Sequence, residues 1–258
     1  MITLGIDIGS TTSKCALLRD GSEILAMSLR TGGLGTEGPA EALGALWEKA
    51  PILPEEVTRT VVTGYGRNRY EGADAEVSEL TCHALGSRLI FPDVRTIIDI
   101  GGQDAKVICL TESGRMSNFV MNDKCAAGTG RFLEVMAGIL RMDVDELGAC
   151  AVKSMQPASI SSTCTVFAES EVISQLANGV DRTDLVAGIC ESVAARVVAL
   201  ARRAGVTPPI CISGGVAKNE GVRKALEQRL ETELLFDPRA QYFGALGAAA
   251  YAYRQLQK

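Results

Sequence analysis

Apolar runs broken by turn residues come early in the chain. Positions 2–8, 14–19 and 23–29 are rich in Ile, Leu and Ala, and Asp20-Gly21 separates the second run from the third. The pattern predicts a three-stranded meander with a tight turn at Asp20-Gly21. Helical spacing follows over 40–50, then a short strand from Thr60 to Thr63 ending at Gly64-Tyr65-Gly66, then a helix over 76–90 closed by Pro92. A second meander is predicted over 96–100, 106–111 and 116–120, with Ser113-Gly114 in its turn. Helices are expected over about 129–141, 165–178 and 184–204, the last ending at Gly205. Ile210 to Ser213 reads as a strand running into Gly214-Gly215, followed by a helix near 218–231, a short strand over 233–236 and a final helix from Gly244. Each half thus begins with a meander and continues into mixed helix and strand. The expectation is an α/β protein with lobes 1–94 and 95–258, the last helix packing back on the first lobe.

The two meanders share more than their pattern. Ile6-Asp7-Ile8-Gly9-Ser10-Thr11-Thr12-Ser13-Lys14 aligns with Ile98-Asp99-Ile100-Gly101-Gly102-Gln103-Asp104-Ala105-Lys106, with five of nine positions identical at an offset of 92 residues. Each copy is an apolar strand ending in Asp, a turn through Gly, and a second strand. Such a turn suits phosphate: glycine lets the backbone come close to an anion, and successive N–H groups form a concave nest for its oxygens. Ser10, Thr11 and Thr12 add hydroxyl donors, and Ser13 extends the run. Asp7 and Asp99 at the strand ends are placed to hold Mg²⁺ through water. Lys14 and Lys106 could offset phosphate charge, although a lysine just after a turn is more often simply exposed. Neither turn fits the P-loop or the dinucleotide-binding glycine pattern.

Charge and composition act mainly by exclusion. A net charge of −5 without a long basic run argues against a nucleic-acid partner or an anionic membrane surface. The N-terminus enters a strand at once, without the regions of a signal peptide, and no apolar run approaches the roughly 20 residues that span a bilayer. The expected location is cytoplasmic. There is one histidine, His83, so mechanisms needing two are excluded. In such a compartment the eight cysteines are expected to be free rather than disulfide-bonded, and none forms a C-x-x-C pair. Six sit among apolar or small residues and read as ordinary, mostly buried thiols. Cys125, in Asn-Asp-Lys-Cys-Ala-Ala-Gly-Thr-Gly, and Cys164, in Ser-Ser-Thr-Cys-Thr-Val, are surrounded differently.

A third glycine pair, in Ser213-Gly214-Gly215-Val216-Ala217-Lys218-Asn219, lies between a strand and a helix. There a flat ring can lie against backbone, and the helix N-terminus favours an anion. With the two hairpins it completes a plausible nucleotide site, purine near Gly214-Gly215.

The order of Asp7-x-Gly9-Ser10-Thr11, Asp99-x-Gly101-Gly102 and Gly214-Gly215 resembles the acetate kinase, sugar kinase, Hsp70 and actin superfamily. Within it, five segments resemble the activators of 2-hydroxyacyl-CoA dehydratases. They are Thr63-Gly-Tyr-Gly-Arg67, Asp99-Ile-Gly-Gly-Gln-Asp104, Met121-Asn-Asp-Lys-Cys-Ala-Ala-Gly-Thr-Gly-Arg-Phe132, Ser162-Thr-Cys-Thr-Val-Phe-Ala-Glu-Ser-Glu171 and Gly214-Gly-Val-Ala-Lys-Asn219. The likeness runs the length of the chain. It implies a two-lobed actin/Hsp70-like ATPase fold, each lobe a ribonuclease-H-like mixed sheet flanked by helices. ATP or ADP would bind with Mg²⁺ between the lobes, at Gly9, Ser10, Thr11, Thr12, Ser13, Lys14, Gly101, Gly102, Gly214, Gly215, Val216, Asn219 and Gln241. Asp7 and Asp99 would act in catalysis, with Gln103 or Asp104 orienting the attacking water.

The resemblance further implies a homodimer holding one [4Fe–4S] cluster between subunits through Cys125 and Cys164. ATP hydrolysis would then drive one low-potential electron from ferredoxin or flavodoxin to a partner dehydratase (component D). A cubane generally takes four thiolates, and two chains about a two-fold axis would supply them. Both cysteines precede predicted helices, whose N-terminal partial charge favours a thiolate and a cluster carrying extra negative charge. Gly128 and Gly130 would let backbone N–H groups approach its sulfides. Without the resemblance, the same two cysteines fit small core residues at loop–helix junctions at least as well. The broader family that the chain resembles also includes the benzoyl-CoA reductase ATPase subunits and activators of other double-cubane proteins. A small-molecule kinase or a non-enzymatic actin-like scaffold would share the phosphate turns but would not need the cysteine segments.

Overall fold

The computed structural model describes residues 1–161 and 164–257. Two compact units emerge from the packing, one of residues 1–94, 112–116 and 241–258, the other of 95–111 and 117–240.

In the first unit, β1 (Ile2–Ile8), β2 (Thr12–Arg19) and β3 (Glu23–Thr31) form the expected meander. After helix α1 (Gly38–Trp47), strand β4 (Val57–Thr63) returns parallel to β1, and the short β5 (Ala75–Glu76) pairs parallel to β4. The sheet order is therefore β3-β2-β1-β4-β5. Successive side chains of a strand point to opposite faces. Leu4, Ile6 and Ile8 pack with Ala42 and Leu46 of α1 on one face. Thr3 points the other way and donates to the Ala249 carbonyl of the C-terminal helix, 2.9 Å away. That second face is covered by this helix, against which α2 (Glu79–Ile90) packs, so β1 and β2 are covered on both faces and read as near-continuous apolar runs.

The second unit repeats the plan. β6 (Thr96–Ile100) and β7 (Ala105–Leu110) are an antiparallel hairpin, with β8 (Met116–Asn122) beyond β7. Helices α3 (Gly130–Leu140), α4 (Leu147–Ala151), α5 (Thr165–Ala177) and α6 (Arg182–Ala204) follow. Then β9 (Ile210–Ser213) returns parallel to β6, and after α7 (Glu220–Leu230) the short β10 (Leu234–Leu235) pairs parallel to β9. The order β8-β7-β6-β9-β10 matches the first sheet strand for strand. The chain closes with α8 (Phe243–Leu256), the helix already met on the first sheet.

Small departures from the sequence reading lie at element ends. The stretch 76–90 divides into β5 and α2, and 218–231 divides into a 3₁₀ turn, Gly215–Lys218, and α7. Asn219 makes the second division, because its side chain accepts from the Val222 N–H at 2.9 Å and starts a new helix. On α5, Val166, Ser170, Ile173 and Ala177 share one exposed face, while Ala168 and Val172 turn inward. Among the described residues, no helix is long and apolar enough to cross a membrane.

Candidate functional site

The β1–β2 hairpin sets Asp7 directly opposite Lys14. Its turn is closed by the Gly9 N–H donating to the Thr12 carbonyl at 3.0 Å, which leaves Ser10, Thr11 and Thr12 partly exposed. Ser13 is different: its hydroxyl is buried and donates inward to the Gly32 carbonyl at 2.8 Å. Lys14 is not exposed after the turn but buried, its Nζ 3.3 Å from Asp7 Oδ2. A buried ammonium needs an anionic partner, and the register of the hairpin provides one.

The second hairpin reproduces this arrangement. Asp99 stands opposite Lys106, with Nζ 3.4 Å from Oδ2, and both are buried. Gly101 N–H donates to the Asp104 carbonyl at 2.9 Å and closes the turn. Lys106 also reaches Asp104 Oδ2 at 2.7 Å, while Gln103 is exposed at the tip. Ser213, across the sheet on β9, donates to Asp99 Oδ1 at 2.8 Å.

A further repeat escaped the sequence comparison. Gly64 follows β4 and Gly214 follows β9, the strands that run parallel beside β1 and β6. Their φ values are +89° and +86°, in the region that glycine alone enters freely. A Cβ on Gly64 would strike the Ile8 carbonyl and the Asp7 carboxylate, and one on Gly214 would strike the Ile100 carbonyl and approach Asp99. Each glycine walls the aspartate of its own unit. Thr63-Gly64 and Ser213-Gly214 share only the glycine and a hydroxyl, too short a match to stand out in a sequence.

The remaining nucleotide candidates divide. Gly215 is exposed and Val216 is buried at the start of the 3₁₀ turn. Asn219 spends its carbonyl oxygen on the α7 cap, with Cys190 Sγ a further 3.7 Å neighbour. Gln241 lies in the 3₁₀ turn Ala240–Tyr242, partly buried in the first unit. His83 is buried on α2.

Cys125 and Cys164 are exposed, whereas Cys15, Cys82, Cys109, Cys190 and Cys211 are buried and Cys150 is half-buried. Burial pushes the thiols of Cys15, Cys82 and Cys190 up to about 12. Cys164 is the N-cap residue of α5. Ser162 and Thr163, in the same motif, lie outside the described residues. Cys125 is further from its helix than expected, because Thr129 is the N-cap of α3. The intervening turn is held by Asn122 Nδ2 donating to the Cys125 carbonyl at 2.9 Å and by the Thr129 N–H donating to Ala126 at 3.1 Å.

One connection joins this segment to the turn of the second hairpin. The N–H of Gly130 donates to the Gly101 carbonyl at 2.9 Å, and that of Arg131 donates to the Gly102 carbonyl at 2.8 Å. Two N–H groups at the start of α3, which have no partner within the helix, are thereby satisfied by the turn itself. α3 packs in turn against α5.

Among the described residues no cluster of three or more His, Cys, Asp or Glu could hold a metal ion. A single chain therefore exposes two thiols, half of a cubane's usual ligands, which fits a cluster only if another chain supplies the rest. Beside Cys164, α5 carries Val166, Phe167 and Ile173 at 66%, 69% and 49% exposure, an apolar stripe of the kind that marks an interface.

The profile of the BadF/BadG/BcrA/BcrD ATPase family matches residues 4–252. The (R)-2-hydroxyglutaryl-CoA dehydratase activating ATPase of Acidaminococcus fermentans is 57% identical over 257 residues, covering 99% of this chain and 98% of that protein. A solved structure of the activator of the 2-hydroxyisocaproyl-CoA dehydratase from Clostridium difficile, with bound ADPNP, aligns at a TM-score of 0.97 and 51% identity. It covers 100% of this chain and 96% of its own. A ROK family glucokinase from Streptomyces griseus, at 16% identity and a TM-score of 0.61 over 99% of this chain and 100% of its own, shares the fold alone. The fold is that of the actin/Hsp70-like ATPases.

Proposed function

The chain belongs to the BadF/BadG/BcrA/BcrD ATPase family, and from that premise we propose that it hydrolyses ATP to drive electron transfer to a 2-hydroxyacyl-CoA dehydratase. The reading includes a homodimer in which Cys125 and Cys164 of each chain hold one shared [4Fe–4S] cluster. Ferredoxin or flavodoxin is the proposed donor, and the cytoplasm the proposed location.

The observation that carries this reading is the pair of backbone bonds from Gly130 and Arg131 to Gly101 and Gly102. Any shift of that turn with the state of a bound γ-phosphate pulls directly on the start of α3 and on the segment bearing Cys125. A kinase needs no such connection.

Asp7 and Asp99 are proposed to organise Mg²⁺ through its water shell, since each already pairs with a buried lysine. Lys14 and Lys106 then act as holders of those carboxylates. Gln103 is the better candidate to orient the attacking water, because it is exposed at the turn whereas Asp104 is engaged by Lys106. Nucleotide contacts are assigned to the turns Gly9–Thr12 and Gly101–Gln103, to Gly214-Gly215 and to Gln241. Asn219 supports α7 rather than the ligand through its carbonyl oxygen. When bound, the cluster supplies a site for one low-potential electron. The apolar stripe of α5 supports the dimer: a second copy would bury Val166, Phe167 and Ile173 next to its own Cys164.

An anaerobic iron and sulfide determination tests the proposal. About four iron atoms per two chains, the content of one cubane, are expected, with loss in Cys125→Ser and Cys164→Ser while nucleotide binding persists. Protein that stays colourless after anaerobic reconstitution would refute it.

A further inference from the structure

One cation stands against the cysteine segment. Arg196 lies on α6, a helix buried along most of its length. Its aliphatic stem packs on the backbone of Gly128, three residues after Cys125. A Cβ at Gly128 would sit 3.2 Å from Arg196 Cβ and 3.4 Å from Cδ, and Gly128 has φ +89°. Glycine there lets the turn lie flat on the arginine. The guanidinium is stacked on the Phe132 ring, 5.3 Å from its centroid, and Phe132 is fully buried. Nη1 donates to Ser192 Oγ at 2.7 Å and to the Ser192 carbonyl at 3.3 Å. Stem, ring face and hydroxyl therefore fix the charge in place, and its anchors on α6 are separate from the bonds that tie α3 to the phosphate turn.

We propose that Arg196 is a positioning residue that fixes a positive charge against the turn following Cys125 and so favours the extra negative charge of the one-electron-reduced cluster site. The proposal rests on the cluster reading above. Burial lowers the guanidinium's pKa, and the Cys125 and Cys164 side chains oppose that shift. Arginine stays protonated under such opposing influences. A half-buried charge acts through a medium less polar than water, so its effect on a nearby electron is not fully screened.

The test uses Arg196→Gln, Arg196→Lys and the unaltered protein. All are reconstituted anaerobically, analysed for iron and sulfide, and titrated with Ti(III) citrate, which gives one electron to the cluster and becomes Ti(IV). Arg196→Gln should lower the reduction equilibrium constant about tenfold, equivalent to 59 mV for one electron. Arg196→Lys, which keeps the charge, should stay within about threefold of the unaltered protein. If the unaltered protein takes up no iron, the cluster reading itself fails. A Gln variant that holds a full cluster at unchanged potential overturns the role of Arg196 alone. If Gln abolishes cluster uptake while Lys preserves it and both melt normally, the charge is again supported. Equal loss in Gln and Lys variants would assign Arg196 to packing and overturn the proposal.

Discussion

Lys14 stands directly opposite Asp7 across the β1–β2 hairpin, with Nζ 3.3 Å from Oδ2 and both side chains nearly buried. Lys106 and Asp99 repeat the pair in the second unit. In each, a strand end places a carboxylate beside a hairpin turn, and the next strand neutralises it, so the carboxylate is held in position by its own lysine.

Breaking one pair should destabilise the protein measurably. Lys106→Met leaves Asp99 buried beside Asp104 without its cation, at a cost of about 3–5 kcal/mol. Thermal unfolding followed by circular dichroism should show a fall in Tm of roughly 10 °C. A shift under 2 °C would mean that the pair is not structural.

The aspartates should matter for turnover beyond stability. Asp7→Ala is expected to lower ATP hydrolysis at least about a hundredfold, equivalent to about 3 kcal/mol of lost transition-state stabilisation. Phosphate release under saturating nucleotide measures it, alongside a melting curve to confirm the fold. Near-normal turnover would remove Asp7 from the catalytic machinery.

Gly64 and Gly214 should each resist substitution by alanine. The new methyl group would meet the Ile8 or Ile100 carbonyl, at a φ that disfavours any L side chain. Each variant should lose at least about 2 kcal/mol of stability, most of it from backbone strain. If both variants melt and turn over as the parent does, the aspartate walls are not required.

Thiol chemistry should sort the cysteines by exposure. Burial disfavours the thiolate, so thiols raised to about 12, those of Cys15, Cys82 and Cys190, are almost wholly protonated at pH 8. In folded, metal-free protein at pH 8, iodoacetamide should label the exposed Cys125 and Cys164 first, with peptide mapping locating the label. The three raised thiols should become reactive only as the pH approaches 12 or the chain unfolds. Labelling of Cys15 as fast as Cys125 would contradict this ordering.

Much of the architecture was legible because its signals are local. The nine-residue repeat at Asp7 and Asp99 located both hairpins, and turn residues bounded the strands to within a few positions. The exposed cysteine pair stood out by its neighbours in the sequence, although only the family likeness made it a candidate cluster site. Missed were α4, too short for helical periodicity to register, and the kinship of Gly64 with Gly214, whose only shared feature is a backbone angle.

By itself, then, the sequence determined the strands, the turn chemistry and the repeat, since these depend on side chains within a few residues of one another. Tertiary structure alone decided how β4 and β5, and β9 and β10, joined the two meanders, and from that followed the rest. It buried Lys14 and Lys106 instead of leaving them in solvent, because the hairpin register brought a carboxylate opposite each. It set the last helix, expected on the first lobe, against β1 in particular, 240 and more positions earlier in the chain. It joined Gly130 to Gly101 and laid Arg196 against Gly128, contacts between segments whose separation leaves no periodic trace. Such contacts form because buried polar groups and apolar faces must find partners wherever the folded chain supplies them.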